Sequence, residues 1–179
     1  MEALGQNPLF MIRGGEDALD MMLADRGYRV KDPVTLYTAP LETLATEHPP
    51  RVTCFTIWEP LQIMLDIWDQ GGIGPERIAI MHRAQEPKTG ILGRLNDSPA
   101  ATAFVVCDGP LAMLHALEVL PHQRRQGMAV WMMRQAAFWA LEQGARDLAV
   151  LVVDENAPAN ALYRGLGMVP MARYHYRVK

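Results

Sequence analysis

The chain has 179 residues, of which 50% are hydrophobic, and it carries a formal net charge of -3. A domain averages about 150 residues, so this length predicts one full domain with an added segment. An acidic chain has no general attraction for polyanions, which argues against a nucleic-acid-binding protein.

The first third of the chain predicts a strand-helix-strand unit. Residues 9–13 and 30–38 have the composition of strands, and residues 16–26 place apolar side chains at helical spacing. Gly27 then ends the predicted helix.

A proline-rich joint at residues 40–50 is the candidate boundary between an N-terminal β-α-β extension (residues 1–48) and a main domain (residues 51–179). The main domain predicts the order strand, helix, helix, strand, strand, strand, helix, strand, helix, strand. Turn sequences separate its three central strands, which predicts an antiparallel meander at residues 90–95, 102–107 and 112–120. A loop at residues 121–127 then leads into a long helix at residues 128–143.

A weak internal repeat links the two ends of the chain. Aligning Gly27 with Gly167 lays residues 9–38 over residues 149–178, each with a strand, a helix, a glycine and a strand. The extension therefore has the pattern of an incomplete second copy of the same unit. Strand-helix-strand units are also common enough to match without a true repeat.

The cysteines and the N-terminal residues indicate the compartment. Cys54 and Cys107 are too few and too isolated for a disulfide framework or a structural zinc site. Residues 1–10 have no basic region before an apolar run, and no apolar stretch reaches the ~18 residues of a membrane span. We expect an untargeted cytoplasmic protein with no metal and no membrane contact.

Residues 117–129 form a strand that runs through a loop into a helix, and this run suits a diphosphate. Gly127 lets the backbone approach a ligand closely, and Ala129 keeps the first helical turn slim. The unpaired N–H groups of that turn favour an anion. Arg124 and Arg125 add forked donors that suit phosphate oxygens. Out of context, the same residues would describe an ordinary solvated loop.

A second run, at residues 156–168, follows an apolar strand and ends in a glycine. Asn156 is a favoured residue for capping the helix that follows it. Tyr163, on the same helix, has the pattern of a core aromatic side chain.

Both runs resemble the acyl-CoA signatures of the GNAT N-acetyltransferase superfamily. The loop matches the pattern R/Q-x-x-G-x-G/A at Arg124, Gly127 and Ala129. The second run matches N-x-x-A-x-x-L-Y-x-x-x-G-F at Asn156, Ala159, Leu162, Tyr163 and Gly167, with Met168 in place of phenylalanine. The resemblance covers residues 51–178 and implies an α/β GNAT fold, a mixed and mostly antiparallel sheet flanked by helices.

The resemblance also implies a cofactor, acetyl-CoA, as the acyl donor. In this family backbone N–H groups cradle the pyrophosphate, and Arg124 belongs to the same loop. The matching N–H groups here are those of Arg125, Gln126, Gly127, Met128 and Ala129. The backbone of Leu117 and Val119 would pair with the pantetheine arm like an added strand. Asn156 would bond the pantetheine, and the Tyr163 hydroxyl would lie near the sulfur.

Acyl transfer by direct attack needs an acid, an oxyanion donor and a base, and needs no nucleophile from the protein. Tyr163 has an ordinary pKa of about 10, so it is protonated at neutral pH and can give a proton to a departing thiolate. The backbone N–H near Val119 is the expected oxyanion donor. Neither cysteine lies near a motif, which argues against a covalent cysteine intermediate.

The general base has two candidates on the strand before the loop. His115 would lie on the same side as Leu117 and Val119, and it resembles a histidine of the arylalkylamine acetyltransferase branch. Its alternative role is that of a satisfied core histidine. Glu118 faces the opposite side unless a bulge intervenes. A water relaying to a strand residue is the third choice.

The sequence indicates the acceptor-binding residues less clearly than the cofactor-binding residues. The N-terminal repeat has Leu23 where the main domain has Tyr163 and lacks the loop, so we expect it to bind no CoA. It would cover a sheet edge or line the acceptor cleft. Four large side chains predict either an apolar acceptor pocket or ordinary core: Trp58, Met64, Trp68 and Met81.

The sequence thus predicts an N-acetyltransferase that moves acetyl from acetyl-CoA to a primary amine of a small molecule or peptide. The competing prediction is a non-catalytic acyl-CoA-binding or sensing module. We expect no nucleic-acid or membrane partner, and a homodimer stays open.

Overall fold

The computed structural model describes residues 7–179. Residues 1–6, on which part of the expectation of an untargeted protein rests, lie outside the described residues. The chain divides into two compact units. The central unit is Ala39–Val150, and the terminal unit combines residues 7–38 with Leu151–Lys179. The domain boundary between residues 48 and 51 stays a prediction.

The helices and strands follow the order that the sequence predicts. The first four elements are β1 (Leu9–Arg13), α1 (Asp17–Asp25), β2 (Arg29–Pro40) and α2 (Leu41–Leu44). The next six are β3 (Cys54–Ile57), α3 (Gln62–Gln70), α4 (Pro75–Arg83), β4 (Lys88–Leu95), β5 (Ser98–Asp108) and β6 (Leu111–Val119). The last four are α5 (Met128–Glu142), β7 (Asp147–Val153), α6 (Ala157–Gly165) and β8 (Val169–Val178). The short α2 was not predicted, and it buries Leu41 and Leu44 within the proline-rich joint.

Within the two units the strands pair in a mixed, mostly antiparallel pattern, as the resemblance implies. In the central unit the strand order is β7-β6-β5-β4-β3. The neighbours are antiparallel except β6 and β7, which run parallel. The antiparallel meander of β4, β5 and β6 is therefore confirmed. β7 begins in the central unit and ends in the terminal unit.

Helices cover both faces of the sheet in the central unit, and two glycines of β4 show how. A Cβ added to Gly90 would lie 2.5 Å from Met64 Cε, which belongs to α3. A Cβ added to Gly93 would lie 2.8 Å from Met132 Sδ, which belongs to α5. Because residues an odd number of positions apart on a strand face opposite sides, α3 and α5 lie on opposite faces of the sheet.

Of the two roles left open for the four large side chains, acceptor pocket or core, three of the side chains have the core role. Met64 and Trp68 are 0% exposed and Met81 is 3% exposed, and all three belong to one buried apolar cluster with Phe104. Trp58 packs against the same cluster while partly exposed. Apolar side chains at helical spacing on α3 and α4 therefore form core, since removing them from water is the main favourable term in folding.

The terminal unit shows the internal repeat in its geometry. Under the alignment of Gly27 with Gly167, α1 and α6 begin and end at matching residues, and both glycines have a positive φ, 82° and 77°. The N–H of Tyr28 donates to Leu23 O at 3.0 Å, and the matching N–H of Met168 donates to Tyr163 O at 3.0 Å. The internal repeat is thus a real similarity of backbone conformation. Its origin as an incomplete GNAT copy stays a prediction.

In the terminal unit, the helix of each repeat contacts the last strand of the other repeat. Both β1 and β2 pair with β8 in antiparallel fashion. Asp20 on α1 is bonded by Arg177 on β8, and the matching Asn160 on α6 accepts a bond from Tyr37 on β2. Each helix therefore contacts the final strand of the other repeat, as in an approximate two-fold arrangement.

No helix in residues 7–179 is both long enough and apolar enough to cross a membrane. The same residues hold no group of three histidine, cysteine, aspartate or glutamate side chains placed to bind a metal ion.

Candidate functional site

The strand β6 leaves its parallel neighbour before it ends. Pairing between β6 and β7 runs from Leu111 with Asp147 to Leu114 with Val150 and then stops. On its other side β6 stays paired with β5 as far as Val119. Within residues 7–179, the backbone from His115 to Val119 therefore has one edge without a strand partner, which is the parted geometry that an added ligand strand requires.

A bulge at Ala116 changes which way the β6 side chains point. Ala116 has a φ of 51°, and the β5–β6 register shifts between the pair Phe104/His115 and the pair Thr102/Glu118. The indole Nε1 of Trp68 donates to Ala116 O at 2.8 Å and holds the bulged carbonyl toward α3. The bulge adds one residue to β6, so the alternation of faces is reset there.

His115 and Glu118 consequently share a face, and the expectation that His115 lies beside Leu117 and Val119 is wrong. Residues opposite each other on antiparallel strands share a face, and His115 is opposite Phe104, a member of the cluster around α3. Val119 is opposite Ala101, whose Cβ lies on the α5 side of the sheet with Gly93. Nothing in the sequence around Ala116 marks the bulge, because alanine rarely has a positive φ.

His115 is half-buried and sits close enough to Arg77 of α4 to be affected by its charge. Burial lowers the pKa of His115 below its ordinary 6.5, and the positive charge of Arg77 lowers it further. The imidazole is therefore neutral at neutral pH and able to accept a proton. Arg77 had not been singled out from the sequence, since only folding brings α4 to β6.

Glu118 is held between the end of α3 and the loop. A Cβ added to Gly71 would lie 2.7 Å from Glu118 Cγ, so the glycine leaves room for this side chain in its present position. The carboxylate accepts a charge-assisted hydrogen bond from Arg124 at 2.9 Å. Arg124 Nε also donates to Val119 O at 2.9 Å. The arginine expected at the phosphate thus folds back onto β6. The cross-strand neighbour Thr102 is 0% exposed, and its Oγ1 has no hydrogen-bond partner within residues 7–179.

The loop before α5 presents a row of unused backbone donors. Arg125 and Gly127 have positive φ values of 63° and 81°, which turn the chain sharply into the 15-residue helix α5. In the described part of the chain, the N–H groups of residues 125–129 have no hydrogen-bond acceptor. A Cβ on Gly127 would meet no atom within 4 Å, so the space beside it is open. Met128 contributes only its amide, because its side chain is 1% exposed in the core.

This row of donors fits a diphosphate. Successive unpaired N–H groups at a helix N-terminus carry partial positive charge and point at one region, where an anion is stabilised. A glycine with open space beside it allows a ligand to approach the backbone. The residues that the signature matches therefore fit the group that the resemblance implies.

The second signature lies in the terminal unit. Asn156 caps α6, where its Oδ1 accepts from Ala159 N at 3.1 Å, as expected of an asparagine in that place. No hydrogen bond of its Nδ2 is found among the described residues. Tyr163 is 6% exposed, and its ring centroid lies 6.0 Å from that of Tyr37. Burial raises the pKa of Tyr163 to about 12.

The candidate residues thus fall into two groups. The central unit holds the two possible bases and the cofactor segment of β6 and the loop: His115, Glu118, Leu117, Val119 and residues 124–129. The terminal unit holds Asn156 and Tyr163. Gly71 and Arg77, which were not candidates from the sequence, join the first group in the structure, as does Trp68 through its hydrogen bond to Ala116 O.

Comparison with known proteins decides the family. Residues 55–168 match the family model described as the Acetyltransferase (GNAT) family. The chain belongs to this GNAT acetyltransferase family. It is therefore an acyltransferase by family.

Three relatives illustrate the match. The "Uncharacterized N-acetyltransferase YobR" of Bacillus subtilis is 30% identical over 171 residues, which cover 90% of this chain and 68% of that protein. The "Aminoglycoside N(6')-acetyltransferase type 1" of Acinetobacter haemolyticus is 34% identical over 58 residues, 32% of this chain and 40% of that protein. The solved structure of a GCN5-related N-acetyltransferase from Kribbella flavida has a TM-score of 0.69 at 20% identity, covering 99% of this chain and 70% of its own, and shares the fold.

Proposed function

We propose that this GNAT protein transfers an acetyl group from acetyl-CoA to a primary amine of a small molecule or peptide. The observation that carries the proposal is the row of unpaired amides at residues 125–129, beside the parted edge of β6. A preorganised set of donors lowers the cost of binding a diphosphate, because the donors need no rearrangement.

Acetyl-CoA supplies, when bound, an acetyl group activated as a thioester. The amides of residues 125–129 hold the pyrophosphate, and the free edge of Leu117 to Val119 pairs with the pantetheine arm. Asn156 adds a donor through Nδ2, which the helix cap leaves free. The N–H near Val119 is the donor for the oxyanion.

Two buried groups hold and move the protons. His115 Nδ1 or Nε2 accepts the proton of the attacking amine, since the neutral imidazole is its favoured form here. Tyr163 Oη keeps its own proton at neutral pH and gives it to the departing thiolate. Glu118 and a water relay are the alternative bases.

The thiols support direct attack over a covalent intermediate. Burial raises the pKa of Cys54 to about 12 and also raises the pKa of Cys107. A thiol is nucleophilic as its thiolate, so neither cysteine is activated.

The amine acceptor is supported by the names of relatives. One relative that matches part of this chain is an aminoglycoside N-acetyltransferase, and another is an N-acetyltransferase of unstated substrate. The acceptor that we propose is therefore a primary amine of a small molecule or peptide. We propose further that the reaction takes place in the cytoplasm, without nucleic acid or membrane. A homodimer is compatible with this proposal but is not needed for it.

The test has two steps. Calorimetry with CoA measures binding, and a panel of primary amines with acetyl-CoA is then followed by the release of free thiol. Binding with amine-dependent release of thiol supports the enzyme. Binding without release for any amine supports the sensing module instead, and absence of binding rejects both.

A further inference from the structure

The ion pair between Arg124 and Glu118 connects the cofactor loop to the strand that carries the candidate bases. Arg124 directly precedes the five unpaired amides, yet its guanidinium is bonded to Glu118 Oε1 and to Val119 O, both at 2.9 Å. The arginine is 55% exposed and can turn toward solvent, whereas Glu118 is 20% exposed and lies against Gly71. In this pair the cation is the more exposed partner and the carboxylate is the more buried one.

Two anions can compete for this one cation. A diphosphate at residues 125–129 lies next to Arg124 in sequence, and arginine forms forked bonds with phosphate as readily as with carboxylate. A mobile guanidinium moves to the stronger anion when the gain exceeds the cost of leaving the weaker one. A part-exposed ion pair is worth little, so that cost is small.

The loss of Arg124 would leave Glu118 as an uncompensated carboxylate on the α3 side of β6. Glu118 shares that face with His115, and the last turn of α3 approaches it through Gly71. The carbonyl end of a helix carries partial negative charge, which adds to the attraction for a cation. A protonated primary amine is the cation that an amine acetyltransferase must bind before deprotonating it.

We propose that Arg124 is a charge switch: it neutralises Glu118 in the free protein and moves to the bound diphosphate, so that Glu118 then binds the ammonium group of the acceptor. The switch rests on the proposed function, because it needs a CoA site in the loop. Its consequence is an order of binding, with the cofactor first and the amine second. Arg124 acts here as a positioning residue and Glu118 as the acceptor anchor.

The test measures the affinity for CoA itself, by calorimetry, in wild type and in Glu118→Gln. If Arg124 must leave Glu118, removing that carboxylate charge frees the arginine in advance, and CoA binds about 2- to 5-fold tighter. Glu142→Gln is the matched control, since it removes one exposed negative charge from the far end of α5, and it should leave the affinity within about 1.5-fold of wild type. If the ion pair between Arg124 and Glu118 instead only maintains the conformation of the loop, Glu118→Gln should bind CoA more weakly than wild type.

A double-mutant cycle assigns the effect to the pair. Arg124→Ala should weaken CoA binding, and adding Glu118→Gln to Arg124→Ala should change the affinity no further, because the competition has been removed. The Nε–H signal of Arg124 in NMR, assigned by its loss in Arg124→Ala, should shift when CoA is added to wild type.

The outcomes separate the two proposals. If wild type does not bind CoA, the proposed function and the switch both fall. If wild type binds CoA but Glu118→Gln binds it equally or less tightly, or if the Arg124 signal does not move, the switch alone is overturned.

Discussion

Burial has opposite effects on the pKa values of Tyr163 and His115, and each effect suits the role proposed for that residue. Burial penalises the charged form of any group, so it raises the pKa of the tyrosine to about 12 and lowers that of the histidine below 6.5. At neutral pH the phenol therefore keeps its proton, and the imidazole is neutral, with one ring nitrogen free to accept a proton. An acid that holds a proton and a base that can accept one are what amine acylation requires.

Replacing Tyr163 by phenylalanine tests the acid. The Tyr163→Phe variant keeps the ring and removes only Oη, so we expect turnover to fall roughly 100-fold while the affinity for CoA stays within about 2-fold. Steady-state kinetics and calorimetry measure the two quantities. Tyr37→Phe, which alters a buried phenol bonded to Asn160, is the control and should change stability more than turnover. Weakened CoA binding with normal turnover would contradict the assigned role.

The pH dependence of kcat/KM tests the base. A base must be neutral to act, and the pKa of His115 is lowered, so we expect activity to be retained above pH 6.5 and to be lost on the acid side only below it. In His115→Gln this acid limb should disappear and the plateau should fall by roughly 100-fold. His48→Gln serves as the control histidine. An unchanged acid limb in His115→Gln would transfer the role to Glu118 or to water.

At the scale of secondary structure, the candidate site depends on two irregular stretches of backbone, the bulge in β6 and the loop before α5. The bulge in β6 directs His115 and Glu118 to the face covered by α3, while the end of pairing with β7 frees the neighbouring edge of the strand. The loop then leaves its amides unpaired at the start of α5. The candidate bases and the cofactor segment thus come from one stretch of about 15 residues, which the sheet and helix hold in place, whereas Asn156 and Tyr163 come from the terminal unit.

Substitution of Gly127 tests the loop. Gly127→Glu introduces a side chain at a φ of 81° and a negative charge into the open space beside the amides, so CoA binding should fall below detection. Gly127→Ala carries the same backbone strain without the charge, and it should retain part of the affinity. Calorimetry of both variants separates the two contributions. Full CoA binding by Gly127→Glu would place the diphosphate elsewhere.

At the scale of the whole molecule, the first and last parts of the chain form one compact unit. β8 lies between β1 and β2, and the two helices each contact the final strand of the other repeat. The Arg177 guanidinium and, to a smaller extent, His175 lower the pKa of Asp20 to about 2, against the opposing effect of burial. The approximate symmetry therefore places a charged pair at one position and a neutral pair, Tyr37 with Asn160, at the other.

The pH dependence of stability tests the charged pair. Because the folded-state pKa of Asp20 is depressed below its ordinary 3.8, its contribution is present above that pH and is lost as the pH falls toward about 2. We expect Asp20→Asn to be less stable than wild type in urea at pH 7, with the difference vanishing near pH 2. Asp25→Asn, which removes a charge from the same helix, should unfold like wild type at both values. A difference that persists at pH 2 would show that the charge is not responsible.

The bounds of the longer helices were readable from the sequence because they depend on neighbouring residues, whereas β5 begins at Ser98, four residues before its predicted start. Pro75 starts α4 and Gly144 follows α5, since proline fits a first helical turn and glycine fits the residue after a helix. α2 was missed because its four residues are too few to show a period. Its two leucines are buried through contacts that the local sequence does not reveal.

The sequence by itself determined the family, the order of the elements and the run of residues 124–129, because in each case the interacting groups are close together along the chain. The tertiary structure alone decided the face of His115, the pairing of Arg124 with Glu118 and the raised pKa of Tyr163. A bulge resets alternation without a local signal, and a pKa depends on how much water surrounding elements exclude. Those quantities arise from residues far apart in sequence, such as Trp68 with Ala116, and exist only once the chain has folded.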